Sequence, residues 1–406
     1  MKRKGGYVLF SSYFAKLITF AISVFIIRLL PKEEFGYIAY ASTIISFIAP
    51  FKGLGMDQGL LRYGSIAGSQ QLKKLYFNQT IKKGLLYSIL TVILICVITP
   101  ILSINMKEAF IFILIMSIQI IGLLLIETIK IYTRIIHLNK LYANITIYNN
   151  LFLFIGVVSA SSLWGAYGYV ISLVLIPIFY SVFLLFKLRL FQYNSNQQIV
   201  YSTKSFLSYG FYMSLGGMLS QLLYAVDIML IGNLIKDAEA VAQYKTSNII
   251  PFSLLILPVA ILTTDFVHLA NKSEENKKAI WHYYLNYLKI MFFISLCILG
   301  TFYFFSEEIL SIFGKEYSKD NNLMFVFSVG VVGALLLRIP LGNILSAIGW
   351  PKINALFSVI VLVINLIAGY YCVLNYGILG AAYTTIALMW FSGILSLFAL
   401  IYYLRK

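Results

Sequence analysis

Four polar residues lie on one face of a long apolar segment near the N-terminus. Ser12, Lys16, Thr19 and Ser23 are spaced by four, three and four residues, so on a helix they form a single stripe. Lys16 lies roughly ten residues inside the segment, where a charge is expensive unless water or a counter-charge accompanies it. We expect the stripe to face a hydrated cavity. The alternative is an internal ion pair that only holds helices together.

A second cation, Lys52, lies in a segment whose composition disrupts a helix. Pro50, Gly53 and Gly55 surround it, and proline and glycine are the poorest helix formers. Irregular backbone inside an apolar region is tolerated where it lines a cavity. We therefore predict that Lys52 also lines the cavity. Alternatively, its long side chain only reaches out to the nearby membrane surface.

A comparable stripe occurs in the second half of the chain. Gly217, Ser220, Tyr224 and Asp227 are spaced by three, four and three residues. Two such stripes on corresponding helices would face each other across a central cleft, with Tyr224 as a binding residue. Arg338, in the middle of an apolar segment, could also face this cleft.

Other residue types argue against an enzyme. The sequence has no metalloprotease motif, P-loop or dinucleotide fingerprint. Its three cysteines lack metal-ligand spacing, and its three histidines are far apart. Glu127 has Lys130 three residues later, which predicts a local helix pair. We expect neither a catalytic residue nor a metal site nor a bound cofactor.

The composition requires a lipid environment for the elements that carry these residues. Hydrophobic residues make up 60% of the 406 residues and charged residues only 11%, whereas soluble domains have about 25% charged residues. The net charge of +16 would suggest nucleic acid in a soluble protein. Here the positive charge lies in short loops between apolar segments, so we expect a membrane protein that contacts lipids and no nucleic acid.

Twelve segments are long enough to span a bilayer, which needs about 20 apolar residues per helix. They are residues 7–30, 37–58, 81–103, 109–130, 144–163, 166–187, 208–233, 244–269, 286–306, 323–348, 353–374 and 378–404. The first follows a basic N-terminus but is too long for a signal peptide, so we expect it to remain uncleaved.

Lysine and arginine are concentrated in the loops on one side of the predicted bundle. If the N-terminus is cytosolic, 21 of the 31 basic residues fall on the cytosolic side, 7 on the opposite side and 3 within spans. Cytosolic loops of membrane proteins carry this excess of positive charge. We predict a multi-pass protein of about twelve transmembrane helices with both termini in the cytosol.

Short motifs recur at nearly half the chain length. Leu30 and Lys32 precede an acidic residue, as do Leu234 and Lys236, at an offset of 204 residues. Gly165 and Gly168 recur as Gly377 and Gly380, at an offset of 212. We predict two six-helix halves, residues 1–200 and 205–406, related by a parallel pseudo-two-fold axis, as in several transporter folds. Chance similarity is the alternative.

Three segments resemble a known family of membrane proteins. They are Arg28-Leu-Leu-Pro-Lys-Glu-Glu-Phe-Gly-Tyr37, Gly53-Leu-Gly-Met-Asp-Gln-Gly-Leu-Leu-Arg62 and Gly377-Ile-Leu-Gly-Ala-Ala382. With the span count and short loops, the chain resembles the Wzx-type O-antigen flippases, in the polysaccharide-transport branch of the MATE/MOP exporter superfamily. The resemblance implies an all-α, MATE-like fold. It does not place functional residues at Lys16 or Lys52.

The resemblance also implies a function. Such a protein moves undecaprenyl-diphosphate-linked O-antigen or polysaccharide repeat units from the cytosolic to the periplasmic face of the bacterial inner membrane. Access would alternate between the faces. Because the diphosphate is anionic, Lys16, Lys52 and Arg338 would supply positive charge to the cavity, and Arg338 could hold phosphate bidentately. From the residues alone, Asp227 is the candidate carboxylate for coupling to a proton or sodium gradient. A polymerase and other polysaccharide-assembly proteins would be its partners.

Two other functions remain open. A MATE-type drug exporter coupled to a cation gradient would share the fold but favour acidic cavity residues. An O-antigen polymerase or ligase would be a multispan enzyme, normally with a large periplasmic loop rich in arginine. The loops predicted on the periplasmic side are short and net acidic.

Overall fold

The structure is a computed structural model that describes residues 2–188, 203–258, 277–318 and 322–405. Every regular element in these ranges is helical, which agrees with the predicted all-α class. The chain forms two compact units, Met1–Leu222 and Leu223–Lys406, called here the first and second unit. The division falls inside one helix, later than the boundary predicted between residues 200 and 205.

The first unit begins with α1 (Lys2–Leu29) and α2 (Lys32–Ile48). A 3₁₀ segment (Ala49–Gly55) and α3 (Met56–Ser65) follow. The unit continues with α4 (Gln70–Leu102), α5 (Ala109–Ser117), α6 (Gln119–Ile135) and α7 (Asn139–Lys187). It ends in the first part of α8 (Thr203–Leu234). Its core includes the buried side chains of Met56, Leu60, Tyr76, Phe77 and Phe206.

In the described ranges, the second unit contains the end of α8 and six further elements. These are α9 (Ala238–Ser253), α10 (Lys277–Ser311), α11 (Asn322–Gly333), a π-helix (Ala334–Arg338), α12 (Ile339–Ala347) and α13 (Pro351–Arg405). One cluster of its core includes Ile280, Tyr284, Leu341, Ile344 and Leu400.

Large apolar side chains cover the outside of both units. Val97 and Ile101 on α4 are 69% and 73% exposed, and Phe304 on α10 is 71% exposed. Contiguous apolar surface of this kind marks contact with lipid or protein. The backbone groups of long helices are satisfied within the helix, as a bilayer requires.

Eight helices in the described ranges are long and apolar enough to cross a membrane, against the twelve spans predicted. Part of the difference lies in α7 and α13, because each is counted as one helix although it contains two of the predicted spans. The predicted span 208–233 lies in α8, where only Ala225–Leu234 qualifies, as a shorter apolar helix. The predicted span 244–269 extends beyond residue 258, outside the described residues.

Each of the two longest helices reverses direction at a glycine. In α7, Gly165 has φ 55° and ψ −131°, and in α13, Gly377 has φ 60° and ψ −139°. Such positive φ angles favour glycine. Ser172 donates a hydrogen bond of 3.0 Å to the carbonyl of Gly156, which joins the two limbs of α7. The glycines predicted to correspond therefore sit at turns of matching geometry.

The predicted disruption of the second span is confirmed. After Ile48 the chain leaves the α-helix, and Lys52, Gly53 and Leu54 have non-helical dihedral angles. The amide of Gly53 donates a 2.9 Å hydrogen bond to the Ser88 hydroxyl, because no helical acceptor is available to it. The helix resumes at Met56, after Gly55 in the left-handed conformation.

Candidate functional site

A cavity of about 430 Å³ opens beside this break in the first unit. Ligand-binding pockets typically have volumes of about 300–1,000 Å³. The polar side chains in its lining come from five elements: Ser46, Lys52, Gln58, Glu127, Ser214 and Gln221. The break in the helix therefore places Lys52 on the wall of a cavity, and its role in binding a substrate stays a prediction.

Lys52 is held by an ion pair rather than extended to the surface. Its Nζ lies 3.0 Å from Asp57 Oδ2, and only 14% of the lysine side chain and 1% of the aspartate side chain are exposed. The Gln58 amide donates to the same carboxylate oxygen at 3.2 Å. The Lys52 ammonium group is thus held in place by Asp57, five residues further along the chain.

Two buried polar atoms, one in the lining of the cavity and one on a residue that contacts the lining, have no hydrogen-bond partner among the described residues. One is Oδ1 of Asp57 and the other is the hydroxyl of Ser214, which is 2% exposed. Buried polar groups are normally paired, so these positions are suited to water or a polar ligand group. The wall of the cavity can therefore accept and donate hydrogen bonds.

Glycines let the backbone approach closely around the cavity. A Cβ on Gly55 would lie less than 3.0 Å from the carbonyl oxygen of Gly210, and one on Gly210 equally close to that of Gly55. A Cβ on Gly217, the first residue of the predicted second stripe, would lie 3.2 Å from Pro50. The start of α8 thus packs directly against the broken helix.

The cavity is not strongly cationic. Lys52 is neutralised by Asp57, and Glu127 adds a carboxylate to the lining. Glu127 in turn pairs with Lys130 at 2.8 Å, as the sequence predicted for these two residues. An anionic ligand would therefore compete with Asp57 for the ammonium group instead of finding it free.

The structure does not place the stripe on α1 in this cavity. Lys16 and Thr19 are exposed, Ser12 and Ser23 are partly exposed, and none of the four lines the cavity around Lys52. The hydroxyls of Ser12, Thr19 and Ser23 donate to carbonyl groups of their own helix. Lys16 forms no ion pair among the described residues of the first unit, so the alternative of an internal ion pair finds no support there.

Asp227 is the centre of a buried polar cluster in the second unit. The aspartate is 3% exposed. It accepts hydrogen bonds from the Tyr244 hydroxyl at 2.6 Å, from the Asn365 amide at 3.4 Å and from the Thr385 hydroxyl. The other amide atom of Asn365, Oδ1, is buried without a hydrogen-bond partner. A carboxylate, an amide oxygen and a hydroxyl provide oxygen atoms of the kind that bind hard cations.

The polar stripe in the sequence pointed to Asp227, but no sequence pattern pointed to the residues that hydrogen-bond to it. Asn365 lies in an apolar span, where a lone amide is a signal, and Thr385 lies in the other limb of α13. Tyr244 is one of 30 tyrosines in the sequence, so its residue type alone gave no signal. Tyr224, the predicted binding residue, lies in α8, and its side chain is outside what the structure describes.

Arg338 ends the π-helix of the second unit. π-helical turns inside α-helices are frequently found at functional sites. The hydroxyls of Tyr284 and Tyr287 donate to the carbonyls of Leu336 and Leu335, at 3.2 and 2.9 Å. Arg338 is partly buried. Its predicted role in binding phosphate stays a prediction.

The described residues contain no group of three or more His, Cys, Asp or Glu side chains arranged to hold a metal ion. The oxygen cluster at Asp227 has a single carboxylate, so it is suited to a proton or a monovalent cation rather than to a transition metal.

Comparison with known proteins identifies the family. Residues 25–321 match the polysaccharide biosynthesis protein family, and this is more than half of the chain. The chain therefore belongs to that family.

Two curated proteins are similar in sequence. A putative O-antigen transporter of Shigella flexneri is 30% identical over 188 residues, which are 44% of this chain and 42% of the relative. Capsular polysaccharide biosynthesis protein CapF of Staphylococcus aureus is 36% identical over 93 residues, 23% of each chain. The matches thus span less than half of either relative.

Two solved structures establish the fold. The lipid II flippase MurJ in its inward closed conformation superposes with a TM-score of 0.77 and 17% identity, covering 98% of this chain and 87% of MurJ. An inward-facing multidrug resistance MATE family transporter of the MOP superfamily gives a TM-score of 0.73 and 14% identity, covering 96% and 94%. The protein is therefore an all-α, polytopic membrane protein with a MATE- and MurJ-like fold, as predicted.

Proposed function

We propose that this chain is a flippase for undecaprenyl-diphosphate-linked polysaccharide repeat units. It moves them from the cytosolic to the periplasmic face of the bacterial inner membrane by alternating access. It is a transporter and not an enzyme. The observation that carries the proposal is the cavity of the first unit, built on a broken helix within a family of polysaccharide biosynthesis proteins. The similar O-antigen transporter and CapF support a polysaccharide substrate.

The diphosphate group binds at the cavity of the first unit. Phosphate oxygens compete with Asp57 for the Lys52 ammonium and accept a hydrogen bond from the Ser214 hydroxyl. Lys16 and Arg338 hold further anionic groups at other stages of the transport cycle. The lipid tail stays in the bilayer, because its transfer into a polar cavity would lose hydrophobic stabilisation.

The membrane topology in this proposal has twelve crossings in two six-helix halves, with both termini in the cytosol. The matching glycine turns at Gly165 and Gly377 support the repeat. The oxygen cluster around Asp227 supports its role as the coupling carboxylate for a proton or sodium gradient. Binding of a cation there would remove a buried charge and so favour one conformation over the other.

Reconstitution into vesicles tests this function directly. We expect the purified protein to move a fluorescent undecaprenyl-diphosphate oligosaccharide between leaflets faster than protein-free vesicles do, and to restore surface polysaccharide in a strain that lacks its flippase. The variant Lys52→Ala should flip more slowly, and Lys83→Ala, on an exposed part of α4, should match the wild type. Equal rates with and without protein would refute the proposal.

A second candidate function is export of cationic compounds. Glu127 in the cavity and the neutralised Lys52 favour it, since cationic drugs prefer acidic sites. Efflux of ethidium from the same vesicles separates the two functions. Ethidium efflux without movement of the lipid-linked oligosaccharide would favour the exporter.

A further inference from the structure

A second pocket, of about 460 Å³, lies at one end of the first unit. Three chain reversals meet there: the junction of α1 and α2, the start of α5, and the turn between the two limbs of α7. The residues used below are Glu34, Tyr37, Lys107, Glu108, Trp164 and Tyr167. In the proposed topology these reversals are all on the periplasmic side, opposite to the cytosolic loops.

Aromatic rings form an exposed platform in this pocket. Trp164 is 66% exposed and Tyr167 is 48% exposed. The positive φ of Gly165 makes the tight turn between them, so their positions are set by backbone geometry. The Tyr167 ring also packs on Phe112, with a centroid distance of 5.4 Å. Aromatic faces held in this way can stack against the apolar face of a flat, partly polar ligand.

The polar groups of the pocket are mainly hydrogen-bond acceptors. Glu34 and Glu108 contribute exposed carboxylates, and Lys107 is a single cation beside them. Tyr37 also lines the pocket, and its hydroxyl donates a 2.8 Å hydrogen bond to Glu33. Carboxylates accept charge-assisted hydrogen bonds from hydroxyl groups. The same charges repel phosphate.

We propose that this pocket is a docking subsite for a sugar residue of the translocated glycan. A sugar ring has an apolar face to stack on Trp164 and Tyr167, and hydroxyls to donate to Glu34 and Glu108. The pocket has the size of a small-ligand site. The inference rests on the proposed function, and it separates glycan binding from the diphosphate site at Lys52.

Lipid headgroups are the competing occupant, because tryptophan and tyrosine often lie at membrane interfaces. Interfacial anchoring needs no concave pocket and does not favour carboxylates beside anionic headgroups. The excess of acidic groups in the pocket therefore favours a hydroxyl-rich ligand over an anionic lipid.

Binding of the free glycan tests the subsite. The probe is the repeat-unit oligosaccharide released from its lipid diphosphate by mild acid, titrated into the full-length protein in nanodiscs. We expect Trp164→Ala and Glu108→Gln each to weaken binding by roughly fivefold. Leu163→Ala is the matched control, since Leu163 precedes Trp164, is 73% exposed and does not line the pocket.

The outcomes separate this subsite from the proposed function. Flipping of the lipid-linked unit without binding of the free glycan would overturn the subsite alone. Glycan binding without flipping would overturn the proposed function alone. If Trp164→Ala changes only the thermal stability of the protein in the bilayer and leaves glycan binding intact, the ring is a lipid anchor and the subsite is wrong.

Discussion

At the scale of single residues, Lys52 serves both the fold and the proposed binding of substrate. Its ammonium compensates the charge of Asp57, which is almost completely buried. Removing one partner of a buried ion pair leaves an uncompensated charge and costs roughly 3–5 kcal/mol. A loss of transport in a single variant would therefore not show whether the substrate or the fold needs the lysine.

A double variant separates the two roles of Lys52. We expect Lys52→Ala to lower both the midpoint of thermal unfolding and the rate of flipping. Lys52→Ala combined with Asp57→Ala should recover most of the stability, because both charges are gone, but not the flipping. Recovery of transport in the double variant would show that Lys52 acts only on the fold. Glu127→Gln, in a more exposed pair, should cost no more than about 0.5 kcal/mol.

Lys16 is predicted to act on the substrate without supporting the fold. It is exposed on α1, and no ion pair joins it to the described residues of the first unit. We expect Lys16→Ala to reduce surface polysaccharide sharply in a flippase-deletion strain while the amount of protein in the membrane stays nearly normal. Lys16→Arg should keep part of the activity, because the charge remains.

Two outcomes would decide against this role of Lys16. Full complementation by Lys16→Ala would exclude binding of the substrate there. Loss of the protein itself, read by immunoblot of a tagged copy, would show that the lysine supports the structure.

Asp227 is predicted to couple transport to an ion gradient. Asp227→Asn keeps the shape of the side chain and removes the charge that a proton or sodium ion would neutralise. We expect the variant to be inserted normally but to lose the dependence of flipping on the pH or sodium gradient. Asp237→Asn is the matched control, because Asp237 is exposed and caps α9, and asparagine caps helices equally well. Unchanged gradient dependence in Asp227→Asn would exclude the coupling role.

At the scale of elements, the broken helix requires glycine at position 55 for two separate reasons. Gly55 has φ 74° and also packs against the carbonyl of Gly210. We expect Gly55→Ala to destabilise the first unit by at least about 2 kcal/mol, because backbone strain and a steric clash act together. Gly68→Ala should be tolerated, because a Cβ there meets nothing within 4 Å. Equal thermal stability of the two variants would contradict this account of the break.

The helix break was predictable, whereas its partners were not. Proline and glycine mark the break directly in the sequence, because their backbone preferences are local. The contact of Gly55 with Gly210 and the pairing of Asp227 with Asn365 join residues more than a hundred positions apart. Such contacts depend on how helices pack, and a periodic pattern shows only which face of a helix is polar. The stripe on α1 shows this limit, since its residues do not line the cavity of Lys52.

At the scale of the whole molecule, membrane topology is the property that charge distribution predicts most directly. We expect cysteines introduced at Lys74 and Lys204 to react only with membrane-permeant reagents, and one at Asp320 to react with impermeant ones. Asp320 lies outside the described residues, so this experiment tests the sequence argument by itself. Cys96, Cys297 and Cys372 must first be replaced. Labelling of all three introduced positions from outside would refute the topology.

Hydropathy identifies the apolar segments of the chain, but it does not show which neighbouring segments are joined by a tight turn within one long helical element. Residues 144–163 and 166–187 were predicted as separate spans, and the chain turns between them at Trp164 and Gly165. Hydropathy alone marks this turn weakly, because Trp164 and Gly165 are not strongly polar. The recurrence of Gly165 and Gly377 at a fixed offset was the more informative signal, since glycine at that point is required by the backbone conformation.

The reversals at Gly165 and Gly377 have a consequence for how the protein enters the membrane. The two limbs of α7 are in contact immediately on either side of the turn, as the hydrogen bond between Ser172 and Gly156 shows. Contacts so close in sequence form with little loop-closure entropy. Each limb pair can thus leave the translocation machinery as a preformed hairpin whose turn crosses the lipid only once. A tag inserted at either glycine would separate the limbs and arrest biogenesis, whereas the same tag at the exposed end of α3 would be accepted.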